Sequence, residues 1–340
     1  MTEVKTEDVA ICTVASKNYL AYVRAFAESV RSTNPNVPIH VLLVDRIDGT
    51  FDPSEEPFQL LTIEDLGNIP NLPHFCFKYR AIELNTAVKP YFFDDLFRRH
   101  GLKKILFFDP DILLFSGAGP LWEALEKYDL ILTPHLTAPY RDRKWPDELQ
   151  INRAGIFNLG FLGMRDSTDT RTFLAWWKEK LYDACYMDPD RGMHVDQKWV
   201  NFAPAFFEGV GILRDPALNI AYWNLHQSGR DLRFQNNRLE LARRPAVFFH
   251  FSGLEPRRIH GISKHQNRFS LSDLPNLQPL FEHYRASLLR HGLMDSSRWP
   301  YVYDCFDNGA RIPQAARNLY CKLGSGALEF GNPFRAEGEE

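Results

Sequence analysis

The feature that most restricts this 340-residue chain is one uninterrupted run, Lys104 to Phe115, in which Asp109, Pro110 and Asp111 separate two apolar segments. The first segment, Ile105 to Phe108, has the length and apolarity of a strand buried on both faces. Pro110 has no N–H to give to a sheet, so the strand ends there and releases its two acids into open space. In extended chain, residues two apart project to one side, which predicts that Asp109 and Asp111 point the same way. Open α/β sheets bind ligands beyond the carboxyl ends of their strands. Paired carboxylates repel unless a positive charge joins them, and a hard divalent cation does this well. The plainer reading is a strand-end turn whose two acids are solvated.

The flanking sequence reads as alternating strands and helices. Val9 to Ala15 is a buried strand, and a helix follows from Leu20, Val23, Ala27 and Val30 to about Thr33. Ile39 to Val44 is a second buried strand, so the chain opens as a parallel β-α-β unit. A short strand is expected over Phe58 to Thr62 and a helix over Tyr79 to Thr86. Another helix starts at Lys89-Pro90, where proline suits the first turn. Beyond the central strand, a helix is expected over Leu121 to Tyr128 and a strand over Leu130 to Pro134, followed by a surface loop from Leu136 to Asn152. Phe157 to Gly163 is a glycine-punctuated strand that would admit a ligand or another backbone closely. Thr170 to Met187 and Met193 to Val200 read as helices, Ile212-Leu213 and Asn219 to Leu225 as strand-like, and Val247 to Ser252 as the last strong strand. The region after Ser270 is helical over Leu274 to Leu289.

Composition excludes several classes. With 40 basic and 43 acidic residues there is no broad attraction to nucleic acid or to an anionic membrane. No apolar run is long enough to span a bilayer, and the polar start is unlike a secretory signal, which makes the cytoplasm the expected location. Cys12, Cys76, Cys185, Cys305 and Cys321 lack metal-ligand spacing and suit a reducing compartment. His250, at a strand end, is either a good metal ligand or a structural, hydrogen-bonded residue.

Taken in order, VAICTVASKNY, the Lys89 helix, Asp109-Pro110-Asp111, Phe157-Asn158-Leu159-Gly160, Asp196-Gln197 and His250-Phe251-Ser252-Gly253 resemble a GT-A fold glycosyltransferase. The chain is most similar to the retaining glycogenin and lipopolysaccharide galactosyltransferase group, family eight-like. TAVKP, FFDPDILLF, FNLGF, DQKW, AYWNLH and FHFSG further resemble bacterial surface-polysaccharide proteins of this fold.

The resemblance implies an α/β fold, a Rossmann-like mixed sheet flanked by helices. The GT-A domain would span 1–270, with nucleotide-binding and acceptor parts meeting near 135, and a mostly helical extension would span 271–340. It implies that Asp109, Asp111 and His250 hold Mn²⁺ or Mg²⁺ against a donor diphosphate. Thr13, Ala15 and Tyr19 would meet the nucleoside, and Lys89 the donor sugar or phosphates. Asn158 and Gly160 would line the sugar and acceptor pocket, and Asp196 and Gln197 would sit at the reactive face. Asp196 also suits a helix N-cap.

The family's usual lysine after His-x-x-Gly is missing. Gly253-Leu254-Glu255-Pro256 stands there, so either Arg257, Arg258 or Lys264 takes over through a different loop path or phosphate neutralisation relies more on the metal. The expected partners are a nucleotide-sugar donor, UDP-linked by resemblance, and a glycan, lipid-linked or protein hydroxyl; self-association is left open. Two other readings stand beside this one: a non-catalytic sugar-binding protein on the same scaffold, and a nucleotidyltransferase. The latter is disfavoured because VASKNY has no glycine to form a phosphate loop.

Overall fold

The computed structural model describes residues 8–227 and 230–336. In chain order the elements are β1 (Val9–Ala15), α1 (Leu20–Thr33), β2 (Ile39–Leu43), β3 (Gln59–Thr62), α2 (Leu72–Lys78), α3 (Ala81–Ala87), α4 (Lys89–Arg98), β4 (Lys104–Phe108), β5 (Ile112–Leu114), α5 (Gly119–Lys127) and β6 (Leu130–Pro134). Next come α6 (Glu148–Ala154), β7 (Phe157–Arg165), α7 (Thr168–Asp183), β8 (Met187–Asp188), β9 (Met193–His194), α8 (Gln197–Val200), α9 (Ala203–Phe206) and β10 (Val210–Ile212). The last are β11 (Leu232–Gln235), β12 (Arg238–Leu241), β13 (Arg244–Pro245), β14 (Phe248–His250), α10 (Gln278–Arg290), α11 (Leu293–Ser296) and α12 (Gln314–Leu323).

Every residue of β1 is buried, which its unbroken apolar sequence requires, and it lies inside a seven-stranded sheet of order β10-β6-β7-β4-β1-β2-β3. β1 runs parallel to β2 and β4, whereas β7 runs antiparallel to both β4 and β6. The sheet is therefore mixed, as expected. Alternate residues of β1 and β4 feed two cores. Ile11, Leu106 and Phe108 join α1, α5 and α10 on one face, and Cys12, Ile105 and Phe107 join α4 and α7 on the other. The segment after Ser270 shares the first core: Phe281, Tyr284 and Leu288 of α10 are buried in it, and Tyr284 stacks on Phe251 with ring centroids 3.8 Å apart.

Because β7 is reversed, its first residues lie at the same edge as the last residues of β4, with Phe161 opposite Phe108. A separate two-stranded ladder pairs β14 with β5 and sets His250 opposite Ile112. Two distant segments thus reach the end of β4, where the acids are.

Several local expectations are corrected. The acids are not aligned by a continuous strand; Ile112 N–H bonds back to Asp109 O at 3.1 Å, so Asp109-Pro110-Asp111 is a turn between β4 and β5. The loop after Leu136 ends in α6, because Asp147 accepts from the N–H groups of Leu149 and Gln150 while Gln150 reaches back, a capping box. Residues 219–225 form turns and a single bridge from Ile220 to Phe249 rather than a strand. The helix expected from Met193 begins only at Gln197.

Candidate active site at the end of the central strand

Four chain segments meet around the acid turn. Asp109 N–H donates to Gly160 O at 2.8 Å, which fixes the turn to β7, and Phe251 N–H donates to Asp111 O at 2.9 Å, which fixes it to the end of β14. Asp109, Asp111 and His250 each offer one ligand atom, and these atoms lie within 4.8 Å of one another. Two carboxylate oxygens and one imidazole nitrogen form a donor set that suits Mn²⁺ or Mg²⁺. The acids are partly open to solvent, whereas the imidazole is buried.

His250 is oriented by its neighbours. Its Nε2 lies 3.0 Å from Asp111 Oδ1, and its Nδ1 lies 3.1 Å from Asn158 Oδ1. An imidazole tied through one nitrogen presents the other to a cation, which is how outer partners set ligand geometry. Burial opposes the charged ring, but the Asp111 carboxylate outweighs it and holds the His250 pKa above the usual range. For Asp109, enclosure raises the pKa most, Lys89 pulls it back and Asp111 raises it again, leaving it above its ordinary value.

Gly160 makes this arrangement possible. A Cβ there would lie 2.3 Å from His250 Cε1 and 2.6 Å from Nδ1, closer than atoms can approach. Gly160→Ala is therefore expected to expel the ring and to cost about 1–3 kcal/mol, as overpacking does. The check is a melting curve together with the imidazole NMR signals; unchanged His250 resonances would refute the clash.

Behind this group lies a second, buried one. Lys89 Nζ ion-pairs with Asp196 Oδ2 at 3.0 Å and Asp109 Oδ1 at 3.6 Å, and donates to Leu159 O at 3.1 Å. Lys89 is 3% exposed and Asp196 2%, so neither is a solvated surface charge. Asp196 stands at the N-cap position of α8, but its carboxylate turns to Lys89 instead of capping the helix. Burial raises the Asp196 pKa most, and Lys89 opposes it without reversing the direction. Gln197 has both ends of its amide engaged by backbone: Oε1 accepts from Leu159 N–H and Nε2 donates to Ala154 O, each at 2.9 Å. It fastens α8 to the start of β7.

Among the remaining expected residues, Tyr19 is 46% exposed and stacks on Tyr22 at 4.8 Å, near enough to the acids for their charges to act on its hydroxyl. Thr13 and Ala15 are buried in β1, and Thr13 Oγ1 has no hydrogen-bond partner among the described residues. Gly253 follows His250 at φ +69 and packs against Ser263 and His265. Arg257 lies outside the network, on the wall of another cavity.

Two contributors carried no motif. His135 faces Asn158 with Nε2 3.2 Å from its Nδ2, and burial pushes its pKa down to about 3, so it is the neutral acceptor of that bond. Asn219 Nδ2 donates to Asn158 Oδ1 at 3.2 Å. The signal for His135 was its place directly after strand β6; Asn219 gave none beyond its polarity in an apolar stretch.

No protein family described by a sequence profile matches the chain. It is 24% identical over 292 residues to the uncharacterized protein YfnF of Bacillus subtilis (strain 168), covering 83% of this chain and 93% of that one. It is 28% identical over 149 residues to YfnD of the same strain, covering 43% and 45%. Among solved structures it is similar to the bifunctional glycosyltransferase WbbM in its apo form, with TM-score 0.50 and 14% identity over 86% of this chain and 53% of that one. It also matches the galactosyltransferase LgtC in complex with donor and acceptor sugar analogs, with TM-score 0.49 and 18% identity over 82% and 95%. The likeness to WbbM is one of fold, a Rossmann-like mixed sheet flanked by helices.

Proposed function

We propose that this chain is a divalent-cation-dependent glycosyltransferase of the GT-A type, of the retaining, family eight-like group. It would move a hexose from a UDP-sugar to the hydroxyl of a glycan, lipid-linked or protein acceptor, in the cytoplasm and in bacterial glycan or surface-polysaccharide synthesis. The observation that carries this reading is the meeting of Asp109, Asp111 and His250 within 4.8 Å, beside the buried Lys89 and Asp196. The fold, with its site at the strand carboxyl edge, supports it.

Asp109, Asp111 and His250 would hold Mn²⁺ or Mg²⁺, which when bound offsets the negative charge that gathers on a departing diphosphate. Lys89, fixed by three oxygens, keeps a positive charge next to Asp109 without depending on solvent. Asp196 keeps a carboxylate behind that charge, the residue type that favours an oxocarbenium-like sugar. Asn158 acts as a positioning residue, because its amide already serves His250, His135 and Asn219. Gln197 is likewise held by backbone and sets the spacing between Asp196 and β7. The exposed ring of Tyr19 offers a flat face for the base.

The test is turnover of a UDP-hexose panel with Mn²⁺ and with excess chelator. Release of UDP from at least one donor, slow without acceptor and abolished by chelator, is expected. Absence of both binding and hydrolysis for every donor would overturn the reading.

A further inference from the structure

A second cavity, of about 500 Å³, lies at the seam between α1, the loop after Gly253 and helices α10 and α11. Its lining is of two kinds: Arg257, Arg258 and Arg285 on one hand, Leu289, Leu293 and Met294 on the other. Arg285 and Leu289 are one turn apart on α10, roughly 6 Å along its axis. The Arg285 end is held to the arginine loop, since its Nη2 donates to Arg258 O at 2.9 Å and Gly261 O at 2.7 Å. The Leu289 end runs on into α11. Charge is thus gathered at one end and apolar surface at the other, where Leu289 is 54% and Met294 43% exposed.

Arg285 is the informative residue. It is 8% exposed, its Nε is buried without a hydrogen-bond partner, and among the described residues no carboxylate lies within ion-pairing distance of it. The one acid on the cavity wall, Glu255, is taken by Arg258 at 2.9 Å. Glu282, nearly one turn back on α10, attracts the guanidinium only at a distance. A buried cation without a counter-charge is costly, and an anionic ligand relieves that cost. The two carbonyl bonds use Nη2 alone and leave Nε and the charge unanswered.

We propose that this cavity binds the phosphate ester of an apolar chain, its phosphate on Arg285 and Arg257 and its chain along Leu289, Leu293 and Met294. Tyr22 is on the wall and stacks on Tyr19, whose hydroxyl feels the charges of Asp109 and Asp111, so the cavity lies on the side of the acids where this aromatic pair stands. An acceptor carried on such an ester would be delivered to the acids from this side. That last step rests on the glycosyltransferase reading; the binding itself does not.

The experiment is calorimetric titration of the full chain with decyl phosphate, inorganic phosphate and UMP, all in chelator so that the cation site plays no part. Decyl phosphate is expected to bind about 10-fold or more tighter than either of the others, since its buried methylenes add hydrophobic binding that the others lack. Arg285→Gln and Leu289→Glu should each weaken it by about 10-fold, the size of a lost charge-assisted bond or of a charge set against the chain. No binding of decyl phosphate, equal binding of inorganic phosphate or UMP, or wild-type affinity in both variants would overturn the proposal. If Arg285→Gln fails to fold, Leu289→Glu and Arg257→Glu, at exposed positions, decide it in the same way. Because chelator is present throughout, a negative result here leaves the transferase reading standing, and loss of that reading leaves this site standing.

Discussion

Asp109→Asn and Asp111→Asn should each lower sugar transfer by about 10³-fold or more, because a bound cation supplies several kcal/mol of charge stabilisation and each 1.36 kcal/mol is tenfold in rate. Each amide removes a charge and a ligand from the three-atom donor set. The fold should survive. Both side chains are partly open to solvent, and the Asp109 carboxyl already sits above its ordinary pKa, so a neutral amide is not disfavoured there. The check is turnover beside thermal melting. Full activity in either variant would remove the cation from the mechanism.

Lys89→Met should be the variant that damages stability most. It strips the counter-charge from Asp196, which is 2% exposed, and breaking a buried pair from one side costs about 3–5 kcal/mol. The sign of its pH dependence follows from Asp196. Burial already raises that carboxyl in the folded chain, and without Lys89 the rise grows, so the folded state keeps a proton that the unfolded state releases above about pH 4. Stability of the variant should therefore fall as pH rises through that range and be nearest to wild type in acid. Adding Asp196→Asn should recover part of the loss, a coupling that denaturant melts of the two single variants and the double variant would measure. Additive losses would mean that the pair does not interact as its 3.0 Å separation indicates.

The central strands were legible because they are buried on both faces: Val9–Ala15 and Lys104–Phe108 read as nearly unbroken apolar runs, with Thr13 the one polar side chain inside them. The geometry of the acid pair was not. Pro110 signalled the end of β4, but whether the chain beyond it stays extended or turns depends on Gly160 O and on β14, both far away in sequence. His250 was placed correctly at a strand end, yet what holds it, Asn158 and the missing side chain at Gly160, is a tertiary arrangement. The β11–β12 hairpin went unread although Leu232, Phe234, Leu239 and Leu241 alternate and Asn236-Asn237 both have positive φ, as a tight hairpin turn requires. Helix α2 was hidden by its composition: Pro73, His74 and three aromatic or sulfur side chains make a poor helix by propensity, and tertiary packing stabilises it, Phe75 and Cys76 in the second core and Phe77 against Ile312 and Tyr320.

The most direct measurement is a Mn²⁺ titration with UDP present, on wild-type protein and on His250→Ala, each checked for folding by circular dichroism. Wild type should take up one Mn²⁺ per chain, and the variant should bind it at least about 100-fold more weakly, beyond the effect of losing a supporting partner alone. Equal Mn²⁺ affinity in the two proteins, or no uptake by wild type, would contradict the convergence of Asp109, Asp111 and His250 on one cation.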